Sequence, residues 1–291
     1  MDKGERNFFK EILSYSNTEA KLESPERLVL ILEMDSYEIS YLVVNPEKKQ
    51  LNELKVFKLT KFSSVVDEVY LSQFFNFFQN DILRNWKRVL VNYVSEKSTL
   101  VPSAYYSEEE KDRFFFFNHA VSTSEKMVLA DYVPAIDSYL LYSIDQKIKE
   151  FISKKFPGSI SKSTSTVFVS SVLHEMLNKG KYVAIHIRDS YLDVLLYNNG
   201  LKFYNSFQYQ GIDDFIYFLL ASSEQFKFNP NECEVFVSGN CDVHSDLMDY
   251  VRKYFMKLTF AVTEKNIQRD GEKLELASHF YYTLFTRINC E

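Results

Sequence analysis

Few side chains in this sequence stand at spacings that chemistry could use. Cys241 and His244 form a Cys-x2-His pair with Cys233 close upstream, and such a pair supplies two zinc ligands. No second pair follows to complete a tetrahedral site. As a nucleophile Cys241 would need a base to draw off its proton, and the sequence places none at an identifiable spacing. Asp35 and Glu68 could begin a two-metal nuclease site, which draws carboxylates from neighbouring elements. The third carboxylate, expected after residue 93, is missing, and an acidic chain would repel the substrate. The five histidines, at 119, 174, 186, 244 and 279, show no ligand spacing; His186, inside an apolar run, reads most simply as a core or sheet-face residue.

A stronger signal is an echo. Asp35-Ser36-Tyr37 recurs as Asp189-Ser190-Tyr191, 154 residues later, and the elements around each copy recur with it. Apolar runs at 27–33 and 37–44 and an alternating run at 50–59 predict three strands, with a turn at Asp35-Ser36. Helical spacing follows over 65–83, then a strand at 87–93. Residues 95–125 read as an insertion with a short helix from Ser107, where Glu108, Glu109 and Glu110 suit a helix N-terminus. Strand-like pieces at 126–133 and 139–143 precede helices at 145–156, broken by Pro157-Gly158, and 165–179, closed by Gly180. The order then restarts. Strands are expected at 181–187, 191–197 and 201–208, with Asn198-Asn199-Gly200 as a hairpin loop. A helix from Gly211 to 226, a strand at 234–237, a helix at 244–256, a strand at 257–262 and a closing helix at 272–287 complete it. Each half is thus an α/β unit of three strands, helix, strand, helix, strand and helix, with a mixed sheet expected from the meander and the crossovers. The halves span 1–180 and 181–291.

Composition narrows the function classes. The 291 residues carry a net charge of −6, which disfavours a general nucleic-acid binder, whose affinity comes from neutralised phosphates. Lys48, Lys49, Lys55, Lys58 and Lys61 form a local basic stretch, read as a solvated strand face. No apolar segment approaches the ~20 residues that span a bilayer. The charged N-terminal residues lack the apolar core of a signal peptide, and three cysteines imply no disulfide framework, so a cytoplasmic location is expected. Aromatic residues make up 16% of the chain, while glycine occurs seven times, where average usage would give about twenty.

The repeated order resembles the ribonuclease H-like fold, duplicated as in actin, sugar kinases and the heat-shock chaperone ATPases. The stretch VNYVSEKSTLVP at 91–102, the FPG at 156–158 and the two Asp-Ser-Tyr turns resemble more closely a Bacteroidetes domain-of-unknown-function family described as actin-like. The resemblance covers most of residues 25–290. It implies an actin-like ATPase architecture with a cleft between the halves. In that family of folds the first turn of each half carries Asp followed by Gly; the backbone grips the nucleotide phosphates, and the Asp holds magnesium through water. Asp35 and Asp189 match the acids, but Ser36 and Ser190 stand where glycine is expected. Gly211 resembles the glycine-rich start of the second-half helix, reduced to one glycine. Ser238-Gly239-Asn240 resembles the adenosine loop, also reduced to one.

A phosphate cradle needs backbone N–H groups that approach closely at positive φ, which glycine supplies without a Cβ. Serine at both turns crowds that approach. No acid or glutamine follows Tyr93 to orient a water; Asn92 and Ser95 stand there, with Glu96 the nearest carboxylate. Asp35 and Asp189 are either magnesium-side carboxylates facing across the cleft or plain turn residues bonding their own backbone, and the turn reading is preferred. The expectation is a non-catalytic scaffold or regulatory protein with a vestigial nucleotide site and no cofactor, acting on an unidentified protein partner. The alternative is a nucleotide-binding ATPase or kinase, with ATP and magnesium as ligands. Four successive rings, Phe114, Phe115, Phe116 and Phe117, cannot share one face of a helix or strand; either they are buried on several sides, the preferred reading, or part of the segment is exposed as the surface for such a partner. At least one is expected to stay exposed while at least two pack inward.

Overall fold

The computed structural model describes residues 9–17, 23–34, 38–59, 68–77, 82–119, 126–176, 179–262 and 278–290. Strands β2 (Val29–Met34), β3 (Glu38–Asn45) and β4 (Gln50–Leu59) form an antiparallel meander. β5 (Arg88–Tyr93) adds parallel to β2, and β9 (Ile160–Ser163) adds parallel to β5. The second half repeats this. β10 (Tyr182–Ile187), β11 (Tyr191–Tyr197) and β12 (Leu201–Gln208) form the meander, while β13 (Glu234–Gly239) and β14 (Lys257–Phe260) add in parallel. Sheet orders β4-β3-β2-β5-β9 and β12-β11-β10-β13-β14 therefore match strand for strand. The central strands are apolar on both faces, as strands covered on both sides must be: Val29, Leu30, Ile31 and Leu32 are all fully buried.

Two departures from the expected strands have local causes. β1 (Phe9–Ser16) pairs antiparallel with β4 and widens the first sheet to six strands. Its register slips between Glu11 and Leu13, which blurs the alternation that would have marked it. The expected strands at 126–133 and 139–143 exist as β7 (Lys126–Val133) and β8 (Ser138–Asp145) but lie outside the main sheet. They join β6 (Ser98–Pro102) in a separate sheet of order β6-β8-β7. The added layer thus runs from 98 to 145 rather than stopping at 125, and the fifth strand of the first sheet is the four-residue β9.

The helices follow their caps. α1 (Glu68–Phe77) brings Phe74 and Phe75 onto the first sheet. α2 (Lys111–Asn118) begins three residues after Glu108, with Ser107 Oγ accepting from the Glu110 N–H at 3.2 Å. α3 (Gln146–Lys155) is capped by Asp145, whose carboxylate accepts from the N–H groups of Lys147 and Ile148. α4 (Thr164–Glu175) is buried over most of its length and capped by Ser163. α5 (Ile212–Gln225) and α6 (Asp246–Tyr254) cover the outer face of the second sheet, where Phe215, Leu219, Met248 and Val251 meet Val183, Ile185 and Ile187. α7 (Tyr282–Thr286) packs on α4 and reaches both sheets, placing Leu284 and Phe285 on Val29 and Ile31, and the Tyr282 ring 5.5 Å from that of Phe236. Residues 272–277 of the expected closing helix lie outside the described residues. Among the described residues no helix is long and apolar enough to cross a membrane.

Candidate functional site

A cleft of about 430 Å³ opens where β2 and β10 end, lined by residues of both halves. The first half contributes Glu33, Glu38, Ser40 and Lys58, with Thr164 from α4. The second contributes His186, Ile187, Arg188, Asp189, Gly239 and Asn240. The carboxyl ends of parallel strands are where open α/β sheets present ligand crevices, because the chain diverges there into loops.

Asp189 lines this cleft and its carboxylate accepts a hydrogen bond from Asn240 Nδ2, so the Asp-Ser turn meets the Ser-Gly-Asn loop. Asp35 and Ser36 lie outside the described residues; Glu33 and Glu38, on either side of them in sequence, line the cleft. The residue echo is one position out of step with the strands. Ile187 pairs with Leu192 as Met34 pairs with Ile39, an offset of 153 at both positions (187 against 34, 192 against 39). Counted at the offset of 153 that these pairs set, Arg188 rather than Asp189 stands against Asp35 in sequence, one residue out of step with the tripeptide echo.

Gly239 is the one candidate glycine whose conformation requires glycine. Its φ is +93°, and a Cβ there would stand 2.1 Å from the carbonyl oxygen of Ile187. Asn240 N–H donates to that same carbonyl at 2.7 Å. The missing side chain serves a backbone approach within the protein. Gly211, at the α5 N-cap, has an extended φ of −164° and open space around it, and it is not among the described residues lining the cleft. Ser190 also stands apart from the lining, its carbonyl accepting from the Tyr209 N–H at 3.1 Å. Ser238 is fully buried, its hydroxyl held by His186 Nδ1 at 3.0 Å and the Ile185 carbonyl at 3.2 Å. Burial pushes the His186 imidazole down to about 4, so it is neutral at pH 7.

The most heavily engaged group in the cleft is one the sequence did not single out. The Arg188 guanidinium donates through Nη2 to the buried Asp193 carboxylate at 3.0 Å and through Nη1 to the Ser95 carbonyl of the first half at 2.5 Å. Tyr204 and Ser206 also donate to Asp193, and Ser98 of the first half lies 2.9 Å from the Tyr204 hydroxyl. The Tyr209 hydroxyl donates to the Arg188 carbonyl at 2.7 Å, and burial raises its phenol to about 12, which keeps it a donor. The signal that could have found Arg188 is the offset of 153 between the two hairpins, which sets it against Asp35 in sequence.

The other candidates resolve simply. Burial pushes the Cys241 thiol up to about 12, which leaves it unreactive, and all three cysteines are buried and unbridged. Among the described residues no group of three His, Cys, Asp or Glu side chains could hold a metal ion. On α2, Phe117 is 88% exposed and Phe116 42%, while Phe115 is buried and Phe114 packs with it against Val101, Val128 and Leu141.

None of the curated proteins matches the chain significantly. Among solved structures, a Bacteroides thetaiotaomicron VPI-5482 protein with actin-like ATPase fold and unknown function is 20% identical. The match covers 92% of this chain and 97% of that one, at a TM-score of 0.74. A chain of the PilM-PilN type IV pilus biogenesis complex is 11% identical over 90% of this chain and 98% of that one, at a TM-score of 0.57. At these identities the likeness shows the fold alone, and that fold is the actin-like ATPase fold already traced in the two sheets. With residues 17–258 matching its pattern, the chain belongs to the family DUF3822, described as "Protein of unknown function".

Proposed function

We propose that this chain is a non-catalytic scaffold or regulatory protein of the actin-like fold, acting through protein–protein contacts, and that its cleft no longer serves nucleotide chemistry. The observation that carries this reading is Arg188. Its guanidinium, on the residue set against Asp35 in sequence, is consumed by Asp193 and Ser95 and ties the halves together without a ligand. Three of the other candidates, Asp189, Ser238 and Gly239, are occupied in the same way. Asp189 is bonded to Asn240, Ser238 to His186, and the open side of Gly239 is filled by the Ile187 backbone. Glu33, Glu38 and Asp189 also line the cleft with carboxylates, which disfavour an anionic ligand. On this reading Asp35, Ser36, Asp189, Ser190, Gly211, Ser238 and Gly239 are remnants, and neither ATP nor magnesium is a cofactor.

The exposed rings of Phe116 and Phe117 are the proposed contact surface, since aromatic anchors contribute much of the energy of protein interfaces. The PilM-PilN structure, a complex by its own description, supports partnering as a use of this fold. Three buried, unbridged cysteines support a cytoplasmic location. The rival reading, an ATPase or kinase, has the cleft itself in its favour: about 430 Å³ lies within the range of small-molecule sites. The test is a magnesium-ATP turnover assay on the purified chain. No turnover above buffer is expected, and magnesium-dependent turnover abolished by Asp189→Ala would overturn the proposal.

A further inference from the structure

A second and larger cavity, about 760 Å³, opens at the opposite end of the first sheet and against the exit of β14 in the second. Arg88, the first residue of β5, and Asn45, the last of β3, line it, whereas the cleft above is lined by residues at the ends of β2 and β10. Both halves build its walls. Val44 and Phe285 come with the first sheet and α7, Phe236 from the second sheet, and Phe260 and Val262 from β14 and its exit. Val44, Phe236 and Phe285 are buried as core residues, so the floor is a fixed apolar surface.

The charges around this apolar floor are of one dominant sign. Lys49, Arg88 and Lys179 line the cavity, against a single carboxylate among the described lining residues, Glu175. That carboxylate already accepts from the Tyr282 hydroxyl at 3.0 Å. Lys179 stands 3.7 Å from Glu234, whose carboxylate also accepts from Thr259; the ion pair is long and partly exposed, of the kind that holds little energy. A chain of net charge −6 thus keeps a local positive field over an apolar pocket. The pocket is concave and of small-molecule size, and a few polar groups over apolar walls are how such sites fix a ligand's orientation.

From this juxtaposition we propose that the cavity binds a small amphipathic carboxylic acid, its aliphatic or aromatic body on Phe236 and Phe285 and its carboxylate toward Lys49 and Arg88. This site is independent of the cleft at Asp189 and of the scaffold reading.

The experiment is calorimetric titration of the full chain with decanoate, below its micelle-forming concentration, with 1-decanol and decyltrimethylammonium as neutral and cationic counterparts. Two variants at exposed positions leave the core intact: Lys49→Glu, and Val262→Asp on the cavity wall, where Val262 is 57% exposed. Decanoate is expected to bind one to one, more tightly than decanol, with no binding of the cation. Each substitution should weaken decanoate about fivefold, the size of one partly exposed charge pair, while leaving decanol within about twofold. Asp189→Ala, at the other cleft, should leave decanoate binding unchanged. Absence of decanoate binding, equal binding of decanol, or decanoate binding indifferent to both cavity substitutions overturns the proposal.

Discussion

Arg188 of the second half donates to the backbone carbonyl of Ser95 in the first, at 2.5 Å, while its other terminal nitrogen holds the buried Asp193. One side chain therefore pairs with a buried acid, at its Oδ1, and joins the two halves. Removing it leaves Asp193 charged and buried with only hydroxyl donors, Tyr204 and Ser206. Arg188→Met should lower unfolding free energy by about 3–5 kcal/mol in urea melts, the cost of breaking a buried pair. Arg188→Met with Asp193→Asn should lose less than the two single losses added together, because the stranded charge is gone. A loss below about 1 kcal/mol for the single variant would show that Arg188 is not the fastening described.

Gly239 and Gly211 look alike in sequence and differ in structure, which makes a paired test. Gly239→Ala forces a Cβ to 2.1 Å from the Ile187 oxygen at a φ of +93°, and should be strongly destabilising or prevent folding. Gly211→Ala, at φ −164° with open space around it, should change stability by no more than about 1 kcal/mol. Equal effects in thermal melts would contradict the separation drawn between them.

His186 should make the fold sensitive to mild acid. Its imidazole titrates at about 4 when buried and near 6.5 when the chain unfolds, so the unfolded state takes up the proton first as pH falls. The contribution is intact above pH ~6.5 and is lost progressively toward pH ~4, by about 3 kcal/mol in all. Urea melts at pH 7 and pH 5 should show the wild type losing stability across this window, and His186→Gln losing less. An identical pH dependence in the variant would remove His186 as the cause.

The four successive phenylalanines should divide by burial. Phe115→Ala should cost about 3–5 kcal/mol, because its ring is fully buried against Val101, Val128 and Leu141. Phe117→Ser should stay within about 0.5 kcal/mol of wild type. In a pull-down from the native host, Phe117→Ser should lose partners that the wild type retains, and unchanged recovery would count against the α2 surface.

Much of the fold was legible because its strands are unambiguous. The runs at 50–59, 126–133, 191–197 and 201–208 match the observed strands residue for residue, and the restart after 180 announced a repeated sheet. Short or interrupted strands hid. β9 has four residues, two of them serines, and β6 ends in proline, so neither carries enough apolar alternation to stand out. Where β7 and β8 would go was equally hidden, since periodicity reveals a strand but not its sheet. At the site, the Asp189 turn and the Ser238-Gly239-Asn240 loop are singled out by the resemblance to actin-like ATPases, and Asn240 meets Asp189. Arg188 was passed over because the tripeptide echo suggested an offset of 154, one more than the strand registers set. Its partners Ser95 and Asp193 lie 93 and 5 residues away, a contact that only the closed fold creates.

The most direct test of the account is a thermal-shift titration of the wild-type chain with magnesium-ATP. A ligand at 100 times its Kd adds about 2.7 kcal/mol of apparent stability, which for a chain of this size raises Tm by about 5 °C. The account predicts no shift up to millimolar nucleotide, because Arg188, Asp189 and Ser238 are already engaged with other groups of the protein. A saturable, magnesium-dependent rise of that size, absent from Asp189→Ala, would contradict it.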